Sequence, residues 1–520
     1  MPLPYSSLMH PNSPTFVLRL ATAALVALAP LSAAQAPPPA HGVGVGAGAV
    51  PRYESAPCPV DVEPGERIDC GALFVPENRA RPESRTLRLP VMIFRSRGAT
   101  PAPDPLLFLS GGPGNSTVAN RRSGKGNPFL DERDYILLEQ RGARYAEPAL
   151  LCPEMDRLEG EIATGKLRGE EAEAARVAAA AACRRALVAS GVDLDGYTSQ
   201  AAADDIEDLR LALGLRSWNL YGLSYSTRLM LTVARRHPAG VRSLVLNSVL
   251  PPEVHFDEVA TANLWRALDL VFSGCAIDRE CGAAFPDPRR TFLQLIAAAD
   301  RTLFSVPLEH GSREVRGTDI VSAIYDLLHD SDAIPLLPRF IADLAAGRRS
   351  ELARLLTPGS GSSSGPSTLS RGLRYSVWCS EEMPFEDPQR VALQTSPAFE
   401  LGGIDERAAS VELCRAWNVA AAPPIENEPV RTDIPALVFA GEFDPDTPPD
   451  WGRQLLESMP RAFYVELRGL SHGAGFHPCG REITAAFLRD PASPPPVGCA
   501  LQLRGADFGA SARQGPASNP

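Results

Sequence analysis

The amino-acid sequence predicts an α/β fold with a mostly parallel central sheet, flanked by helices and interrupted by a large, mostly helical insertion. From residue 68, short apolar segments bounded by proline, glycine or charge alternate with helical segments, and this pattern resumes at Ile434. Between these parts, residues 251–430 place apolar side chains at helical spacing, with loops rich in proline and serine. Alternating strands and helices are typical of parallel sheets. One sheet is therefore expected to form from both ends of the chain.

The composition is that of a globular protein with a substantial core. Of 520 residues, 44% are hydrophobic and 22% are charged, which excludes a disordered, collagen-like or multi-spanning membrane protein. The net charge of −11 makes nucleic acids and anionic membrane surfaces poor candidate partners. Neither a metal-binding spacing nor a phosphate-binding loop is visible, so no cofactor and no metal are expected. The sequence leaves the oligomeric state open.

The first residues have the features of a secretory signal peptide, predicted over residues 1–36. Arg19 precedes an apolar stretch that ends in small residues, with cleavage expected after Ala34 or Ala36. The stretch is shorter than the roughly 20 residues that a spanning helix needs, and an uncleaved anchor is the alternative. Residues 37–50 then predict a flexible leader. The mature protein is expected to be secreted or periplasmic, with no membrane span.

Cysteine usage agrees with export. The ten cysteines stand at positions 58, 70, 152, 183, 275, 281, 379, 414, 479 and 499. An even number in an exported chain indicates disulfides, although the sequence alone does not select their connectivity. We expect each cysteine to pair with its neighbour in this order, because each successive pair brackets one local segment. Free buried thiols in one or two of the pairs are the alternative.

The elements follow from hydrophobic spacing and from breakers. In the first part of the sheet, residues 51–250, the predicted strands are Ile68–Val75, Leu87–Phe94, Leu106–Leu109, Tyr135–Leu138, Ser217–Tyr221 and Ser243–Val249, and the predicted helices are 169–189, Asp204–Leu213 and Thr227–Arg236. The insertion, residues 251–430, predicts helices over 259–273, 291–304, 319–328 and 335–346 and a flexible linker over Pro358–Ser367. The second part, residues 431–500, predicts strands Ala436–Ala440 and Phe463–Leu467 with helices near Trp451–Met459 and 480–488, and residues 501–520 predict a mobile tail.

A serine stands at the turn between a predicted strand and a predicted helix. The pattern Gly222-Leu223-Ser224-Tyr225-Ser226 resembles the nucleophile elbow G-x-S-x-G, in which a sharp turn lifts a serine hydroxyl above the sheet. Small residues are needed on both sides because the turn is crowded, and the last position here is serine instead of glycine. Ser224 is the candidate nucleophile.

A serine nucleophile needs a histidine base that is oriented by an acid, and in elbow folds the order along the chain is serine, acid, histidine. Asp444 follows one predicted strand, and His472 follows the next one. Both therefore lie at the carboxyl ends of strands, where such sheets place their sites. Asp446 is the alternative acid, and His477 is the alternative base.

A glycine-rich loop is a candidate for stabilising an oxyanion. Ser110-Gly111-Gly112-Pro113-Gly114 follows a predicted strand, and glycines let backbone N–H groups approach a ligand closely. We expect the backbone amides of Gly112 and Tyr225 to form the oxyanion hole.

Taken together, the motifs resemble the secreted prolyl- and tripeptidyl-aminopeptidase family of α/β-hydrolase-fold serine peptidases. The matching segments are SGGPG at 110–114, EQRG at 139–142, YGLSYSTRL at 221–229, DPDTPP at 444–449 and SHG at 471–473. The sequence departs from the family pattern at Ser110, Glu139, Ser226 and Asn247-Ser248. The resemblance implies an α/β-hydrolase fold with a helical cap, a Ser224–Asp444–His472 triad and an acyl-enzyme.

The resemblance also implies the substrate, a peptide with a free N-terminus. The family binds the terminal ammonium through cap carboxylates, and the motif Cys379-Ser380-Glu381-Glu382 makes Glu381 the first candidate and Glu382 the second. A surface pair of glutamates is the alternative interpretation. Two other functions stay open, because a fold does not determine the acyl group: a carboxylesterase or lipase-like hydrolase, and a catalytically silent binding protein.

Overall fold

Apolar segments from both ends of the chain pair in one sheet, as the sequence predicts. A computed structural model describes residues 50–121, 126–308, 311–356, 368–394 and 409–513. The predicted signal peptide, the leader up to residue 49 and the predicted linker Pro358–Ser367 lie outside the described residues. The strands are β1 Arg52–Ser55, β2 Ile68–Pro76, β3 Thr86–Phe94, β4 Leu106–Leu109, β5 Tyr135–Leu138, β6 Trp218–Leu223, β7 Val241–Asn247, β8 Phe304–Leu308, β9 Gly311–Val315, β10 Ala436–Gly441 and β11 Ala462–Leu467.

The order of the strands brings the carboxyl ends of the parallel strands to one edge of the sheet. The nine-stranded sheet has the order β1-β2-β3-β5-β4-β6-β7-β10-β11. On one side of the sheet, neighbouring strands pair antiparallel, from β1 through β2 and β3 to β5. The remaining strands pair parallel, from β5 through β4, β6, β7 and β10 to β11. The central strands are buried on both faces, as the fully buried β4 illustrates, which is why they read as continuous apolar runs. The carboxyl ends of β6, β10 and β11 consequently meet at one edge.

Helices cover the sheet and fill the insertion. They are α1 Pro153–Ala163, α2 Gly169–Ala189, α3 Ser199–Ala212, α4 Tyr225–Arg236, α5 Ala260–Ile277, α6 Arg279–Ala284, α7 Pro288–Arg301, α8 Gly317–Leu328, α9 Leu337–Ala345, α10 Ser350–Leu356, α11 Arg371–Glu381, α12 Pro388–Gln394, α13 Val411–Trp417, α14 Pro449–Gln454, α15 Pro478–Arg489, α16 Gly498–Gln502 and α17 Gly509–Arg513. Among the described residues, no helix is both long and apolar enough to cross a membrane.

The insertion has two parts that differ in what they pack against. Apolar side chains from α5 to α10 form a core of their own, together with the two-stranded sheet β8–β9. Helices α11 and α13 instead join the apolar core that covers one face of the central sheet. The predicted helical insertion is therefore present, but its last third packs as part of the sheet domain. The hairpin β8–β9 was not predicted.

The predicted mobile tail is wrong for residues 501–513. Phe508 is buried in the core of the insertion and stacks edge-on against Phe443. The short helix α17 follows, and its Ser511 hydroxyl donates a hydrogen bond to the carbonyl of Pro335. These small and polar residues resemble a free terminus in composition, yet two buried side chains attach them to the insertion. Residues 514–520 lie outside the described part of the chain.

The expected connectivity of the disulfides is confirmed. The five bonds join Cys58 to Cys70, Cys152 to Cys183, Cys275 to Cys281, Cys379 to Cys414 and Cys479 to Cys499. Each bond links two successive cysteines along the chain, and no described cysteine is free. Disulfides of this number are typical of proteins that fold in an oxidising compartment.

Candidate active site

Ser224 occupies a sharp turn between β6 and α4. Its backbone has φ 57° and ψ −129°, a left-handed φ that a non-glycine residue adopts only when its surroundings enforce it. The turn is so tight that a Cβ on Gly222 would lie 2.5 Å from the carbonyl oxygen of Ser226. This crowding explains the glycine two residues before the serine. The geometry is that of the predicted nucleophile elbow.

The unusual Ser226 is accommodated because its hydroxyl has a partner. The side chain is fully buried, and it donates a hydrogen bond to the carbonyl of Ser110. The same carbonyl accepts a second hydrogen bond, at 2.9 Å, from the side-chain amide of Gln140. A glycine at position 226 could not make this contact. The departure from the elbow pattern thus connects the elbow to the glycine-rich loop.

Asp444 and His472 form a buried hydrogen-bonded pair. The Nδ1 of His472 lies 3.1 and 3.0 Å from the two carboxylate oxygens of Asp444, whose side chain is fully buried. Asp444 also accepts the backbone N–H of Asp446 and of Thr447, each at 2.9 Å, and the Thr447 hydroxyl at 2.7 Å. These donors fix the carboxylate, so that it can hold the histidine in one orientation.

The electrostatics of the pair follow from its burial. Burial alone would raise the pKa of Asp444, but His472 and the backbone donors outweigh it and hold the pKa below its usual value. Burial alone would lower the pKa of His472, but the charge and hydrogen bond of Asp444 raise it. The aspartate is therefore ionised at neutral pH, and it stabilises a positive charge on the histidine.

The alternative acid, Asp446, and the alternative base, His477, form hydrogen bonds with other residues. Asp446 accepts hydrogen bonds from the Tyr325 hydroxyl and, at 3.0 Å, from Nε2 of His329. The Nδ1 of His477 caps α15 by accepting the backbone N–H of Cys479 at 3.2 Å. Neither residue touches the Asp444–His472 pair through its side-chain hydrogen bonds.

Ser224 and His472 line one cavity of about 400 Å³. The remaining lining residues come from the glycine-rich loop, the elbow, the loop after β10 and the insertion: Ser110, Gly111, Gly112, Asn115, Leu223, Tyr225, Leu250, Phe256, Tyr325, Arg374, Trp378, Asp446 and Thr447. The expected Gly112 and Tyr225 are both among them. A cavity of this size accommodates a few residues of a peptide or a small ester.

The EQRG segment holds the glycine-rich loop from behind. The carboxylate of Glu139, which is fully buried, accepts the backbone N–H of Val118 at 3.0 Å and of Tyr145 at 3.1 Å. Gln140 holds the carbonyl of Ser110, as described above. Gly111 packs directly on the elbow, since a Cβ there would lie 2.7 Å from the Cβ of Ser224. The loop is therefore fixed against the candidate nucleophile.

Glu381 and Glu382 lie outside this cavity. The carboxylate of Glu381 accepts the backbone N–H and the hydroxyl of Ser199, at 2.6 and 2.5 Å, and this hydroxyl lies 2.7 Å from that of Tyr225. Burial raises the pKa of Glu381 to about 7. It lines a separate cavity of about 190 Å³. Glu382 is buried in an ion pair with Arg228. The structure does not bring either glutamate to the cavity that Ser224 lines.

Three residues of the insertion that contribute to the site were missed by the sequence analysis: Tyr325 and Arg374 line the cavity, and His329 pairs with the cavity residue Asp446. Tyr325 and His329 lie on and just after α8, and Arg374 lies on α11. Their spacing in the sequence was the signal that could have indicated them. Tyr325 and His329, and likewise Arg374 and Trp378, are four residues apart, so each pair shares a helix face.

Two family models match parts of this chain. Residues 104–272 match the family described as alpha/beta hydrolase fold, and residues 403–499 match the family described as TAP-like protein. A proline iminopeptidase from Mycobacterium smegmatis has 17% sequence identity and a TM-score of 0.39, over 81% of this chain and 98% of that chain. The family match over residues 104–272, together with the mostly parallel sheet and its helical insertion, confirms the predicted α/β-hydrolase fold.

Curated relatives are peptidases by name. A tripeptidyl aminopeptidase from Streptomyces lividans is 28% identical over 204 residues, which are 38% of this chain and 38% of that protein. The chain thus spans little more than a third of the length of that relative. The serine protease Hip1 of Mycobacterium tuberculosis is 24% identical over 466 residues, which are 82% of this chain and 86% of Hip1. These matches and the family models confirm the resemblance inferred from the motifs.

Proposed function

We propose that this chain, an α/β-hydrolase by fold, is a serine hydrolase that cleaves peptide bonds and releases residues or short peptides from the N-terminus. The observation that supports it most is the shared cavity. Ser224, at a strained elbow, and His472, held by the buried Asp444, line the same space. A nucleophile, its base and an orienting acid are the groups that acyl transfer requires.

The reaction proceeds through an acyl-enzyme. The Oγ of Ser224 attacks the carbonyl carbon of the scissile bond, and Nε2 of His472 takes the serine proton. The backbone amides of Gly112 and Tyr225 donate hydrogen bonds to the oxyanion. The protonated His472 gives its proton to the leaving amine, and the C–N bond breaks. Water, deprotonated by His472, then hydrolyses the ester and regenerates Ser224. Asp444 stays ionised and stabilises the imidazolium in both steps.

The preference for a free N-terminus is supported by the names of the relatives, tripeptidyl aminopeptidases among them. The cap glutamates give it no support, because Glu381 and Glu382 are engaged elsewhere. An esterase is the second candidate, and one observation favours it. Among the described residues that line the cavity, the only acid, Asp446, already accepts two hydrogen bonds, so an entering ammonium meets no unpaired carboxylate.

Export is part of the proposal. The predicted signal peptide precedes a chain whose described cysteines are all joined in disulfides, and cytosolic proteins rarely contain such bonds. We infer that the mature protein works outside the cytoplasm.

The test begins with the nucleophile. A fluorophosphonate probe should label the wild-type protein covalently and should leave Ser224→Ala unlabelled, because only an activated serine reacts. Ser226→Ala is the matched control: it is two residues away, and it should still be labelled. Equal labelling of wild type and Ser224→Ala would discard the assignment.

A substrate screen then separates the candidates. Chromogenic peptides with a free N-terminus, the same peptides N-acetylated, and short acyl esters are compared by kcat/KM. An aminopeptidase cleaves the free peptides and rejects the acetylated ones. Equal cleavage of both would remove the aminopeptidase activity, and hydrolysis of esters alone would leave the esterase in its place.

A further inference from the structure

A positive charge faces the cavity without a partner. Arg374 stands on the first turns of α11, and it lines the same cavity as Ser224 and His472. Its guanidinium carbon lies 5.9 Å from the ring centroid of Trp378, one turn further along the helix. Within the described residues, the guanidinium makes no hydrogen bond and no ion pair. Burial lowers the pKa of Arg374, although an arginine stays charged at any physiological pH.

Two neighbouring arginines, in contrast to Arg374, have hydrogen-bond and ion-pair partners. On the same helix, Arg371 donates to the carboxylate of Asp156 at 2.7 Å. Arg228, which is buried beneath the elbow, pairs with Glu382 and also donates to three backbone carbonyls. A guanidinium has five N–H donors, and leaving them unpaired away from bulk water is costly. Arg374 lacks the acceptors that the other two have.

The acids around the cavity cannot supply that partner as they stand. Both carboxylate oxygens of Asp446 are engaged, one by Tyr325 and the other by His329. Asp444 is engaged by His472 and Thr447. The unpaired charge of the described cavity wall is therefore positive. A carboxylate matches it best, because its two oxygens fit the planar fork of the guanidinium.

We propose that Arg374 binds a carboxylate of the substrate close to the scissile bond. The inference rests on the proposed function, since it assigns a substrate class to the same cavity. The carboxylate has two possible sources: the side chain of an aspartate or glutamate, or the terminal α-carboxylate of a short peptide. Trp378 supports the guanidinium from one face, and its indole N–H donates to Asp257 at 3.0 Å, which fixes the ring.

The kinetic test compares substrates that differ only in charge. One series exchanges glutamate for glutamine at each position beside the scissile bond, and a second exchanges the terminal carboxylate for a carboxamide. A charge-assisted pair predicts that wild type prefers the carboxylate about ten- to hundredfold in kcat/KM. In Arg374→Met this ratio falls to about one, and in Arg374→Lys, which keeps the charge without the fork, it is intermediate. The series that shows the preference identifies the source.

The control variant is Arg289→Met. Arg289 also lies over a tryptophan, 5.2 Å from the ring centroid of Trp265, but in the insertion and away from the cavity, so its carboxylate preference should equal that of wild type. Melting temperatures and circular dichroism show that each variant is folded. If wild type prefers neither series, or if Arg374→Met keeps the preference, the inference is wrong.

A binding measurement separates this inference from the proposed function. Calorimetry with the Ser224→Ala protein measures, without turnover, the affinity for both peptides of each series: glutamate against glutamine, and terminal carboxylate against carboxamide. Tighter binding of the carboxylate peptide in either series, lost when Arg374→Met is added, supports the inference. It does so even if wild type hydrolyses none of the peptides, because that result would reject only the peptidase activity. Equal affinity for both peptides in both series overturns the inference even if hydrolysis is observed.

Discussion

Two histidine–aspartate pairs lie side by side in this molecule, and they differ in what they connect. The ring centroids of His472 and His329 are 5.6 Å apart. His472 and Asp444 both follow strands of the sheet, so their pair is internal to the hydrolase core. His329 follows α8 of the insertion, and its partner Asp446 lies in the loop after β10. The second pair therefore joins the insertion to the loop that holds Asp444, the candidate catalytic acid.

The two aspartates differ in burial and in hydrogen-bond partners, although each is paired with a histidine. Asp444 is fully buried, and three donors besides His472 hold its carboxylate against this histidine, which lines the cavity. The carboxylate of Asp446 lines the cavity, but it is neutralised by His329 and held by Tyr325. Burial alone would lower the pKa of His329, yet Asp446 raises it to about 9. The hydrogen-bond partners of the two aspartates, more than their positions in the sequence, therefore identify Asp444 as the candidate catalytic acid.

The largest expected effect tests which pair is catalytic. Asp444→Asn should lower kcat by about 10⁴-fold, because the amide stabilises the wrong tautomer of His472 and no longer stabilises its charge. Asp446→Asn is the matched variant, two residues away, and it should lower kcat by about tenfold or less. Steady-state kinetics on one chromogenic substrate measures both. A larger loss in Asp446→Asn than in Asp444→Asn would reverse the roles of the two pairs.

The candidate catalytic pair, Asp444 and His472, could be predicted from the sequence because it depends on local patterns. Strands β4 and β5 match their predicted bounds, and the other predicted strands deviate by at most two residues at an end. The location of Ser224, Asp444 and His472 then follows from the rule that sites lie at the carboxyl ends of parallel strands, and their order along the chain is that of elbow folds. Each of these residues lies within five residues of the end of an apolar strand, so local patterns were sufficient to place it.

The contributions of the insertion could not be predicted in the same way. Arg374 and Glu381 lie on the same face of α11, but seven residues separate them, which is roughly 10 Å along a helix. Only the arginine reaches the cavity, whereas Glu381 packs against Ser199. How far along α11 the cavity extends depends on contacts between distant segments. The motif at Cys379 lies on α11, but its glutamates do not line the cavity that Ser224 lines. The pairing of His329 with Asp446 spans 117 residues, and no local pattern indicates it.

The next effect concerns stability, and it tests whether the second pair holds the insertion. The pKa of His329 is about 9 in the folded protein and about 6.5 in an unfolded chain. Its contribution is therefore complete below about pH 6.5 and is lost as the pH rises through about 9. We expect about 2 kcal/mol of unfolding free energy from this pair, since the histidine side chain is 30% exposed.

His329→Gln isolates this contribution. Urea titrations of wild type and variant at pH 6 and at pH 10 give four free energies of unfolding, and the other titrating groups cancel in the difference. The variant should be less stable than wild type at pH 6 and nearly equal to it at pH 10. A constant difference between the two proteins across this range would mean that the pair is not a charged contact.

The smallest expected effect is a shift of the pH–rate profile, and it connects the two pairs. His472 must be neutral to accept the proton of Ser224, so kcat/KM should rise with pH through the pKa of His472 in the free enzyme. Asp444 raises that pKa, and the neighbouring charge of His329 lowers it. His329→Gln removes a positive charge beside His472, so the imidazolium becomes more stable and the acid limb of the profile should move to higher pH. Tyr325→Phe is the control, because it removes a hydrogen bond to Asp446 and leaves the charge of His329 in place. If the two variants move the acid limb equally, or if His329→Gln moves it to lower pH, then the charge of His329 does not act on His472. The second pair would then serve only to attach the insertion.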